Sequence, residues 1–290
     1  MLISGKTGLM GLIGWPVSHS MSPAMHNAAV GALKLDVVYL PLPVAPGRLE
    51  AAVHGLPALG FLGVNVTVPH KQAVIPYLHH IEPAAHAIGA VNTIKISNVP
   101  EQSPVLHGHN TDHSGFLADL RQQNIAVAGR DCLVLGAGGS ARAMAYALAR
   151  AGGRVCVYAR RPEQAQRLVA DLAVHLGHVE LKAAAWADLQ GAVTFNAPLI
   201  VNTTPVGMYP HIDATPWPEH LAFPQNSLVY DLIYNPQETR FMQQARAAEC
   251  RACNGLGMLL QQGALAFEIL TGLKPPLEAM AAALTGEVAV

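Results

Sequence analysis

The sequence predicts an α/β protein built from two domains, and three observations lead to this fold class. The chain has 290 residues, which is more than one compact core usually serves. Hydrophobic residues make up 51% of it and charged residues only 13%, so two cores can be filled. Strand-like and helix-like segments alternate along most of the chain, which is typical of a sheet covered by helices.

The first third of the chain follows a strand–helix rhythm. Short apolar runs predict strands, and Ala-rich or periodic segments predict the helices between them. The strands are Leu9–Gly14, Val37–Leu42, Phe61–Val68 and Ala90–Ile96, and the helices are Pro23–Leu33, Arg48–Leu59 and Glu82–Ile88. The polar segment Ser97–Pro104 predicts a surface hairpin turn. The rhythm indicates a mostly parallel sheet.

The middle of the chain repeats this rhythm more clearly. Apolar and β-branched runs alternate with longer periodic segments. The strands are Asp131–Leu135, Arg154–Tyr158, Leu199–Asn202 and Ser227–Leu232, and the helices are Ser140–Ala151 and Pro162–Leu176. The last part contains a predicted amphipathic helix, Met258–Leu270, which follows two glycines.

The charge of the chain argues against two classes of partner. Its formal net charge is −1 and its pI is about 6.9, whereas nucleic acids and anionic membranes attract proteins with a basic excess. The uncharged segment Thr7–Leu33 contains Pro16, Pro23 and several glycines, serines and histidines. It therefore reads neither as a membrane span nor as a signal peptide.

The four cysteines show no spacing typical of zinc or disulfide sites. They are Cys132, Cys156, Cys250 and Cys253. The last two have CxxC spacing, but no second pair or histidine cluster accompanies them. We expect reduced thiols in a cytoplasmic protein.

A glycine-rich fingerprint lies between the first strand and helix of the middle segment. The run Gly136–Ala141 fits G-x-G-x-x-G/A in the strand–turn–helix context that the motif requires. Gly136 permits the tight turn, Gly138 lets the backbone approach a pyrophosphate, and Ala141 keeps the helix close to the sheet. The helix N-terminus then attracts the anion, so the segment predicts nucleotide binding.

The end of the next strand indicates which nucleotide. An acidic residue there would bind the ribose 2′-hydroxyl of NAD, but the chain has Ala159, Arg160 and Arg161. Arginine matches a 2′-phosphate in charge and geometry, which favours NADP. The alternative is a solvated arginine pair that opens a helix, although such cations oppose the helix dipole.

Lys71 and Asp112 are the candidate catalytic groups. Lys71 follows a strand in the segment Asn65–Lys71, and Asp112 ends Asn-Thr-Asp where a helix begins. A lysine and an aspartate that meet across a cleft can shuttle a proton at a substrate hydroxyl. A lone lysine is more often a solvated surface charge, so its grouping with other polar residues at strand ends matters.

Those other polar residues are Thr67 and Asn92, which we expect at the carboxyl edge of the sheet, where α/β proteins bind ligands. Ser20 and Ser22 lie near a predicted helix start, with Ser22 as N-cap and Pro23 as the first helical residue. Two hydroxyls at a helix N-terminus favour a carboxylate clamp, but ordinary capping explains Ser22 equally well.

Three nearby histidines raise the question of a metal. His107, His109 and His113 lack an accompanying cysteine or carboxylate pattern. We therefore expect loop histidines and no metal.

Together these motifs resemble the shikimate dehydrogenase family, and the resemblance covers nearly the whole chain. The matching segments are Ser18–Pro23, Asn65–Lys71, Gly89–Thr93, Asn110–Asp112, Gly136–Ala141, Asn202–Thr204, Asp231–Tyr234 and Asn254–Gln262. It implies an α/β substrate-binding domain at residues 1–112, completed by 254–290, and a Rossmann NADP-binding domain at 113–253. A deep cleft would separate them.

The resemblance also implies a reaction and a role for each matched residue. The reaction is the reversible NADPH-dependent reduction of 3-dehydroshikimate to shikimate, in the biosynthesis of chorismate and aromatic amino acids. Lys71 and Asp112 would be catalytic. The implied substrate-binding residues are Ser20, Ser22, Thr67, Asn92, Tyr234 and Gln262. The implied cofactor-binding residues are Gly136, Ala137, Gly138, Gly139, Ser140, Ala159, Arg160, Arg161, Thr203, Leu232, Gly255 and Met258.

The chain departs from the family pattern at a few positions. The family usually has Asn-Arg-Thr where Ala159–Arg161 stands, so one ribose or adenine contact is missing while Arg161 adds charge. His113 replaces a common glycine and would narrow the cleft beside Asp112, and His109 replaces an acidic or small residue.

Three other functions stay open. One is a quinate/shikimate dehydrogenase with relaxed substrate or NAD use. The second is a non-catalytic nucleotide-binding paralogue, which would not need Lys71 with Asp112. The third is a Rossmann methyltransferase, which would need an acid where Arg160 stands. We expect a monomer or a homodimer, with a small-molecule substrate and neither nucleic acid nor membrane as partner.

Overall fold

The computed structural model describes residues 3–98 and 101–286. The described chain forms two compact units. The first runs up to Gly115 and resumes at Leu259, and the second spans Phe116–Met258. Each unit contains a six-stranded sheet with helices, so the predicted two-domain α/β fold class is confirmed.

The first unit begins with alternating strands and helices. Its strands are β1 (Gly8–Gly14), β2 (Val37–Pro43), β3 (Phe61–Val66), β4 (His80–Ile81), β5 (Thr93–Ser97) and β6 (Val105–His109). Its helices are α1 (Ser22–Ala32), α2 (Leu49–Ala58) and α3 (Pro83–Ile88), with short 3-10 turns at Pro46–Arg48 and Ile75–Tyr77. Helix α4 (Asp112–Gln122) starts in this unit and continues into the second.

The first sheet has three parallel pairings out of five, so the mostly parallel sheet that the sequence predicts is present except around β5. Its order is β2-β1-β3-β5-β6-β4. The strands β2, β1 and β3 are parallel, whereas β5 is antiparallel to both β3 and β6. The hairpin expected at Ser97–Pro104 joins β5 to β6, although residues 99 and 100 lie outside the described residues.

The predicted strand Ala90–Ile96 begins only at Thr93. Backbone N–H groups just before it are engaged elsewhere: Val91 N–H donates to the Lys71 carbonyl at 2.7 Å, and Asn92 N–H donates to the His109 carbonyl at 3.0 Å. The Asn92 carbonyl still accepts the Val66 N–H of β3 at 2.8 Å, so the segment is tied to its neighbours before regular pairing begins at Thr93. The predicted strand Phe61–Val68 likewise ends at Val66, before a cis peptide bond at Pro69.

The core of the first unit packs the sheet against α2. Its buried members include Val53 and Leu56 of α2, Val64 of β3 and Ile94 of β5. Each such side chain stabilises the fold by about 1.5–3 kcal/mol on burial. This core fixes the strand ends that carry the polar residues of the site.

His26 lies in α1 with only 1% of its surface exposed. Its ring stacks on Tyr39 at 4.2 Å between centroids and on Phe267 at 6.1 Å. Burial lowers the pKa of His26 from 6.5 to about 3. The folded chain thus takes up this proton only near pH 3, whereas the unfolded chain takes it up near pH 6.5. The neutral His26 ring therefore contributes fully to the unfolding free energy above pH 6.5, and this contribution is lost as the pH falls towards 3.

We therefore expect His26→Phe to make folding less sensitive to acid. Between pH 7.5 and pH 5, the wild-type chain should lose about 2 kcal/mol more unfolding free energy than the variant. Urea denaturation followed by circular dichroism at both pH values measures the difference. The exposed His54→Phe is the control and should keep the wild-type pH dependence. Equal acid sensitivity in His26→Phe and wild type would contradict the expectation.

The second unit has a fully parallel sheet. Its strands are β7 (Asp131–Leu135), β8 (Arg154–Ala159), β9 (Leu181–Ala185), β10 (Leu199–Asn202), β11 (Leu228–Asp231) and β12 (Arg251–Asn254). Its helices are α5 (Gly139–Arg150), α6 (Pro162–Leu176) and α7 (Arg240–Ala247), with a 3-10 segment at Trp186–Thr194. Helix α8 (Leu256–Thr271) starts here and continues in the first unit, which ends with α9 (Leu277–Thr285).

The order of the second sheet is β12-β11-β10-β7-β8-β9. Counted within the unit this is 6-5-4-1-2-3, the doubly wound arrangement of dinucleotide-binding domains. The order reverses between β7 and β10, so the loops after these two strands flank a ligand crevice in such folds. Its core includes Leu133 of β7, Ile200 of β10 and the fully enclosed Trp217.

In the described ranges 3–98 and 101–286, no helix is both long and apolar enough to cross a membrane. All four cysteines are free thiols. Burial raises the pKa of Cys132 to about 12 and that of Cys253 to about 11, so both stay protonated at neutral pH.

Candidate active site

Lys71 and Asp112 form a direct ion pair in the first unit. Lys71 Nζ lies 2.7 Å from Asp112 Oδ2, and the two side chains are only 12% and 5% exposed. Lys71 follows β3 by five residues, and Asp112 is the first residue of α4. A nearly buried pair at this distance is a strong charge-assisted hydrogen bond and can hold or release a proton at a bound hydroxyl.

Asn110 explains how the chain presents Asp112. The Asn110 Oδ1 accepts hydrogen bonds from the backbone N–H of Asp112 at 3.1 Å and of His113 at 3.4 Å. Its Nδ2 donates to the Ala90 carbonyl at 2.9 Å. Asn110 thereby satisfies N–H groups at the start of α4 and fixes the carboxylate on the first helical residue.

Asn92 holds the second oxygen of the carboxylate. Its Nδ2 donates to Asp112 Oδ1 at 2.9 Å and to Thr111 Oγ1 at 2.9 Å, and it lies 3.3 Å from Gln262 Oε1. The sequence predicts that Asn92 ends a strand, and this is wrong: it immediately precedes β5. Because β5 is antiparallel to β3, its amino end still meets the carboxyl end of β3.

Ser20 and Ser22 lie at the start of α1. The predicted N-cap is wrong, since the helix begins at Ser22 itself and Met21 is the N-cap residue. Ser20 Oγ accepts a hydrogen bond from the Ser22 N–H at 3.2 Å. Ordinary N-capping therefore does not explain Ser22, which leaves its hydroxyl for another role.

Thr67 follows β3 and is tied to β1, because its N–H donates to the Ile13 carbonyl at 2.8 Å. The next loop contact is Trp15 N–H to the Val68 carbonyl at 3.0 Å. The segments that carry the serines and Thr67 therefore leave the same edge of the sheet.

The glycine-rich loop follows β7 in the second unit, as the sequence predicts. Gly136 has φ +116°, a conformation that favours glycine, and a Cβ there would lie 2.6 Å from Thr203 Oγ1. At Gly138, the N-cap of α5, no described heavy atom beyond the glycine and the adjacent backbone lies within 4 Å of the position a Cβ would take. The loop thus leaves open space beside backbone N–H groups, which fits a pyrophosphate.

The other predicted cofactor residues lie around this sheet edge. Thr203 Oγ1 donates to the Leu135 carbonyl at 2.7 Å, which joins the loops at the point where the strand order reverses. Arg160 and Arg161 are exposed after β8, and Ala159 is its buried last residue. A Cβ at Gly255 would lie 2.3 Å from the Leu232 carbonyl oxygen, so these two backbones are in close contact.

Met258 and Tyr234, which the resemblance assigned to cofactor and substrate, both lie in the second unit. Met258 is 7% exposed. Tyr234 is half-buried in the loop after β11, which also carries Leu232.

A buried network that the sequence did not predict lies beneath this edge. Asp231 accepts hydrogen bonds from Asn202 Nδ2 at 2.9 Å, Ile233 N–H at 3.1 Å and Thr239 Oγ1 at 2.7 Å. Burial raises the pKa of Asp231 to about 6. The network links the loops after β10 and β11. Its only sequence signal is that two neighbouring apolar strands each end in a polar residue.

The expectation of loop histidines is wrong, because His107 and His109 lie in β6 and His113 lies in α4. His107 of β6 stacks on His80 with 5.3 Å between ring centroids, and desolvation lowers the pKa values of His107 and His109. Within the described part of the chain, no three His, Cys, Asp or Glu side chains are grouped to hold a metal ion.

Two family profiles match the chain. The profile of the shikimate dehydrogenase substrate binding domain matches residues 12–94, and that of the shikimate 5′-dehydrogenase C-terminal domain matches residues 255–285. The NADP-dependent shikimate dehydrogenase of Moorella thermoacetica is 46% identical over 288 residues, which cover 96% of this chain and 92% of that protein. The chain belongs to the shikimate dehydrogenase family.

Solved structures of the shikimate dehydrogenase family share the fold of this chain. Shikimate 5-dehydrogenase from Thermus thermophilus, in complex with NADP(H) and shikimate, matches with a TM-score of 0.82 and 37% identity. The match covers 97% of this chain and 100% of that chain. Quinate dehydrogenase from Corynebacterium glutamicum, in complex with NAD, matches with a TM-score of 0.84 and 30% identity over 97% of this chain and 99% of that chain.

Proposed function

We propose that the chain catalyses the reversible NADPH-dependent reduction of 3-dehydroshikimate to shikimate, a step in the biosynthesis of chorismate and aromatic amino acids. The observation that carries this proposal is the Lys71–Asp112 ion pair, whose side chains are almost buried and whose carboxylate accepts a hydrogen bond from Asn92. Membership of the shikimate dehydrogenase family supports the substrate and the cofactor.

Lys71 is the proton donor in this proposal. NADPH, when bound, supplies the hydride that reduces the C3 carbonyl carbon. The Lys71 ammonium donates a proton to the oxygen as negative charge develops there, and it stabilises that charge before transfer. Asp112 keeps the ammonium in place through Oδ2. In the oxidation direction, neutral Lys71 accepts the proton of the C3 hydroxyl.

The remaining polar residues would bind the substrate. Ser20 and Ser22 present two hydroxyls at the start of an 11-residue helix, which suits the carboxylate. The ring hydroxyls would contact Thr67, Asn92, Tyr234 and Gln262.

The residues that would contact NADP(H) are Gly136–Ser140, Thr203, Leu232, Gly255 and Met258. The 2′-phosphate of the cofactor would lie near Ala159, Arg160 and Arg161. Thr203 and Gly136 already meet where the strand order reverses.

We place the domains at 1–112 with 254–290 and at 113–253. The four free thiols support a cytoplasmic location, and we propose a monomer or a homodimer.

We expect Arg160→Ala to weaken the use of NADP⁺ selectively. Loss of a charge-assisted hydrogen bond to the 2′-phosphate should raise the KM for NADP⁺ about tenfold. The kcat/KM with NAD⁺ should stay within about twofold, because NAD⁺ has no 2′-phosphate. The exposed Arg167→Ala on α6 is the matched control. An equal loss with both nucleotides would contradict the assignment.

A quinate/shikimate dehydrogenase with NAD use is the second candidate. The similarity to a quinate dehydrogenase in complex with NAD favours it. Initial rates with shikimate and quinate, each with NADP⁺ and NAD⁺, separate the two. A preference for shikimate with NADP⁺ supports the first proposal, and comparable rates with quinate or NAD⁺ support the second. No turnover in any combination by the folded protein would contradict both and favour a non-catalytic paralogue.

A further inference from the structure

A chain of buried hydrogen bonds runs from Tyr39 to Asp112. Tyr39 OH donates to Asn65 Oδ1 at 2.8 Å, and Asn65 Nδ2 donates to Thr93 Oγ1 at 3.0 Å. Thr93 Oγ1 donates to Asn92 Oδ1 at 3.1 Å, and Asn92 Nδ2 donates to Asp112 Oδ1 at 2.9 Å. None of these five residues is more than 6% exposed, so water does not compete for the bonds.

Backbone groups fix the direction of each bond in this chain. The Thr111 N–H can only donate, and it lies 2.8 Å from Asn92 Oδ1. The Asn92 amide oxygen must therefore face it, which turns the amide nitrogen towards Asp112. The Asn92 carbonyl can only accept, and it lies 3.2 Å from Asn65 Nδ2. The nitrogen of Asn65 thus also faces Thr93, whose hydroxyl proton is left to point at Asn92 Oδ1.

The Asn92 amide nitrogen has more acceptors than protons. Its two protons face Asp112 Oδ1, Thr111 Oγ1 and Gln262 Oε1 at 2.9, 2.9 and 3.3 Å. Its orientation therefore depends on what holds the oxygen end of the amide. Two donors do so, the Thr111 N–H and the Thr93 hydroxyl.

We propose that Thr93 is a positioning residue for the Lys71–Asp112 pair. Its hydroxyl holds the Asn92 amide plane so that the nitrogen stays on Asp112 rather than turning towards Gln262. Asp112 in turn keeps Lys71 in place. Thr93 acts only through Asn92 in this proposal, which rests on the function proposed above.

Thr93→Val and Thr93→Ser form a matched pair for the test. Valine fills nearly the same volume in the buried strand β5 without a hydroxyl, whereas serine keeps the hydroxyl and loses a methyl group. We expect Thr93→Val to lower kcat for shikimate oxidation about tenfold, with the KM for NADP⁺ within about twofold of wild type. Thr93→Ser should restore kcat to within about threefold of wild type.

Two kinetic outcomes would overturn the proposal. One is a wild-type kcat in Thr93→Val. The other is an equal loss in Thr93→Ser and Thr93→Val, which would point to packing rather than to the hydroxyl.

A second readout does not depend on turnover. The side-chain amide of Asn92 gives a ¹H–¹⁵N signal in protein labelled on asparagine, assigned by its loss in Asn92→Asp. The signal should shift in Thr93→Val and stay near its wild-type position in Thr93→Ser. An unchanged signal in Thr93→Val would also overturn the proposal. If wild-type protein does not oxidise shikimate, the proposed function fails, and the amide signal still decides whether Thr93 orients Asn92.

Discussion

Replacing Lys71 by alanine should lower kcat by about 10²–10⁴-fold, because the group that donates the proton in reduction and accepts it in oxidation is lost. This corresponds to about 3–5 kcal/mol of transition-state stabilisation. The KM for shikimate should change much less, since the ammonium acts most strongly on charge that develops during the reaction. Steady-state kinetics of shikimate oxidation with NADP⁺ measures both parameters.

Unfolding is the main competing cause of lost activity in this variant. Lys71→Ala leaves the carboxylate of Asp112 buried without its cation, and breaking such a pair can cost about 3–5 kcal/mol of stability. Lys71→Arg separates the two effects. It keeps a positive charge beside Asp112, but a guanidinium does not release a proton, so kcat should still fall while the fold remains.

Lys95→Ala is the control for the loss of a lysine, since Lys95 is a half-buried lysine in the same sheet. It should keep kcat near wild type. An unchanged kcat with a raised KM in Lys71→Ala would make Lys71 a binding residue and contradict the proton-donor role.

The sequence predicts the start of the second sheet well, because its signals there are local. The run from β7 through the glycine loop to α5 is continuous, and the structure reproduces each boundary to within a residue. Lys71 and Asp112 are also found from local motifs, although the structure is needed to place them 2.7 Å apart.

Other elements depend on contacts distant in sequence. The strand β6 reads Val-Leu-His-Gly-His, whose polar residues hide the strand pattern, and it forms because β5 pairs with it. Strand β9 reads Leu-Lys-Ala-Ala-Ala, which favours a helix by intrinsic propensity, but pairing with β8 prevails.

The buried hydrogen bonds that hold the site residues in place could not be predicted from the sequence for a similar reason. Tyr39 stands in the apolar run of β2 and reads as an ordinary core aromatic. Its hydroxyl bond to Asn65 joins residues 26 positions apart, and the contact of Asn92 with Gln262 joins residues 170 positions apart. Periodicity within a short window cannot reveal such pairs.

Gly138→Ala should abolish most NADP(H) binding while leaving the fold intact. Gly138 has φ −84° and ψ −172°, which alanine adopts without strain, and a Cβ there would meet no described atom within 4 Å. The unfolding free energy should therefore change by less than about 1 kcal/mol. The added methyl group would occupy space that the pyrophosphate needs, so the KM for NADP⁺ should rise about 100-fold, or about 2.7 kcal/mol.

Gly136→Ala provides the opposite pattern on the same loop. Its positive φ and the 2.6 Å distance from a Cβ to Thr203 Oγ1 predict a loss of stability as well as of NADP⁺ binding. Equilibrium binding of NADPH, followed by its fluorescence, and thermal unfolding of both variants separate steric exclusion of the cofactor from damage to the loop.

If Gly138→Ala bound NADPH as wild type does, the open space beside Gly138 would not be where the pyrophosphate lies. If instead Gly138→Ala lost stability as Gly136→Ala does, the backbone conformation itself would require glycine at position 138. Only a stable Gly138→Ala with weak NADPH binding supports a glycine kept for the cofactor, because the folded protein alone would accept a side chain there.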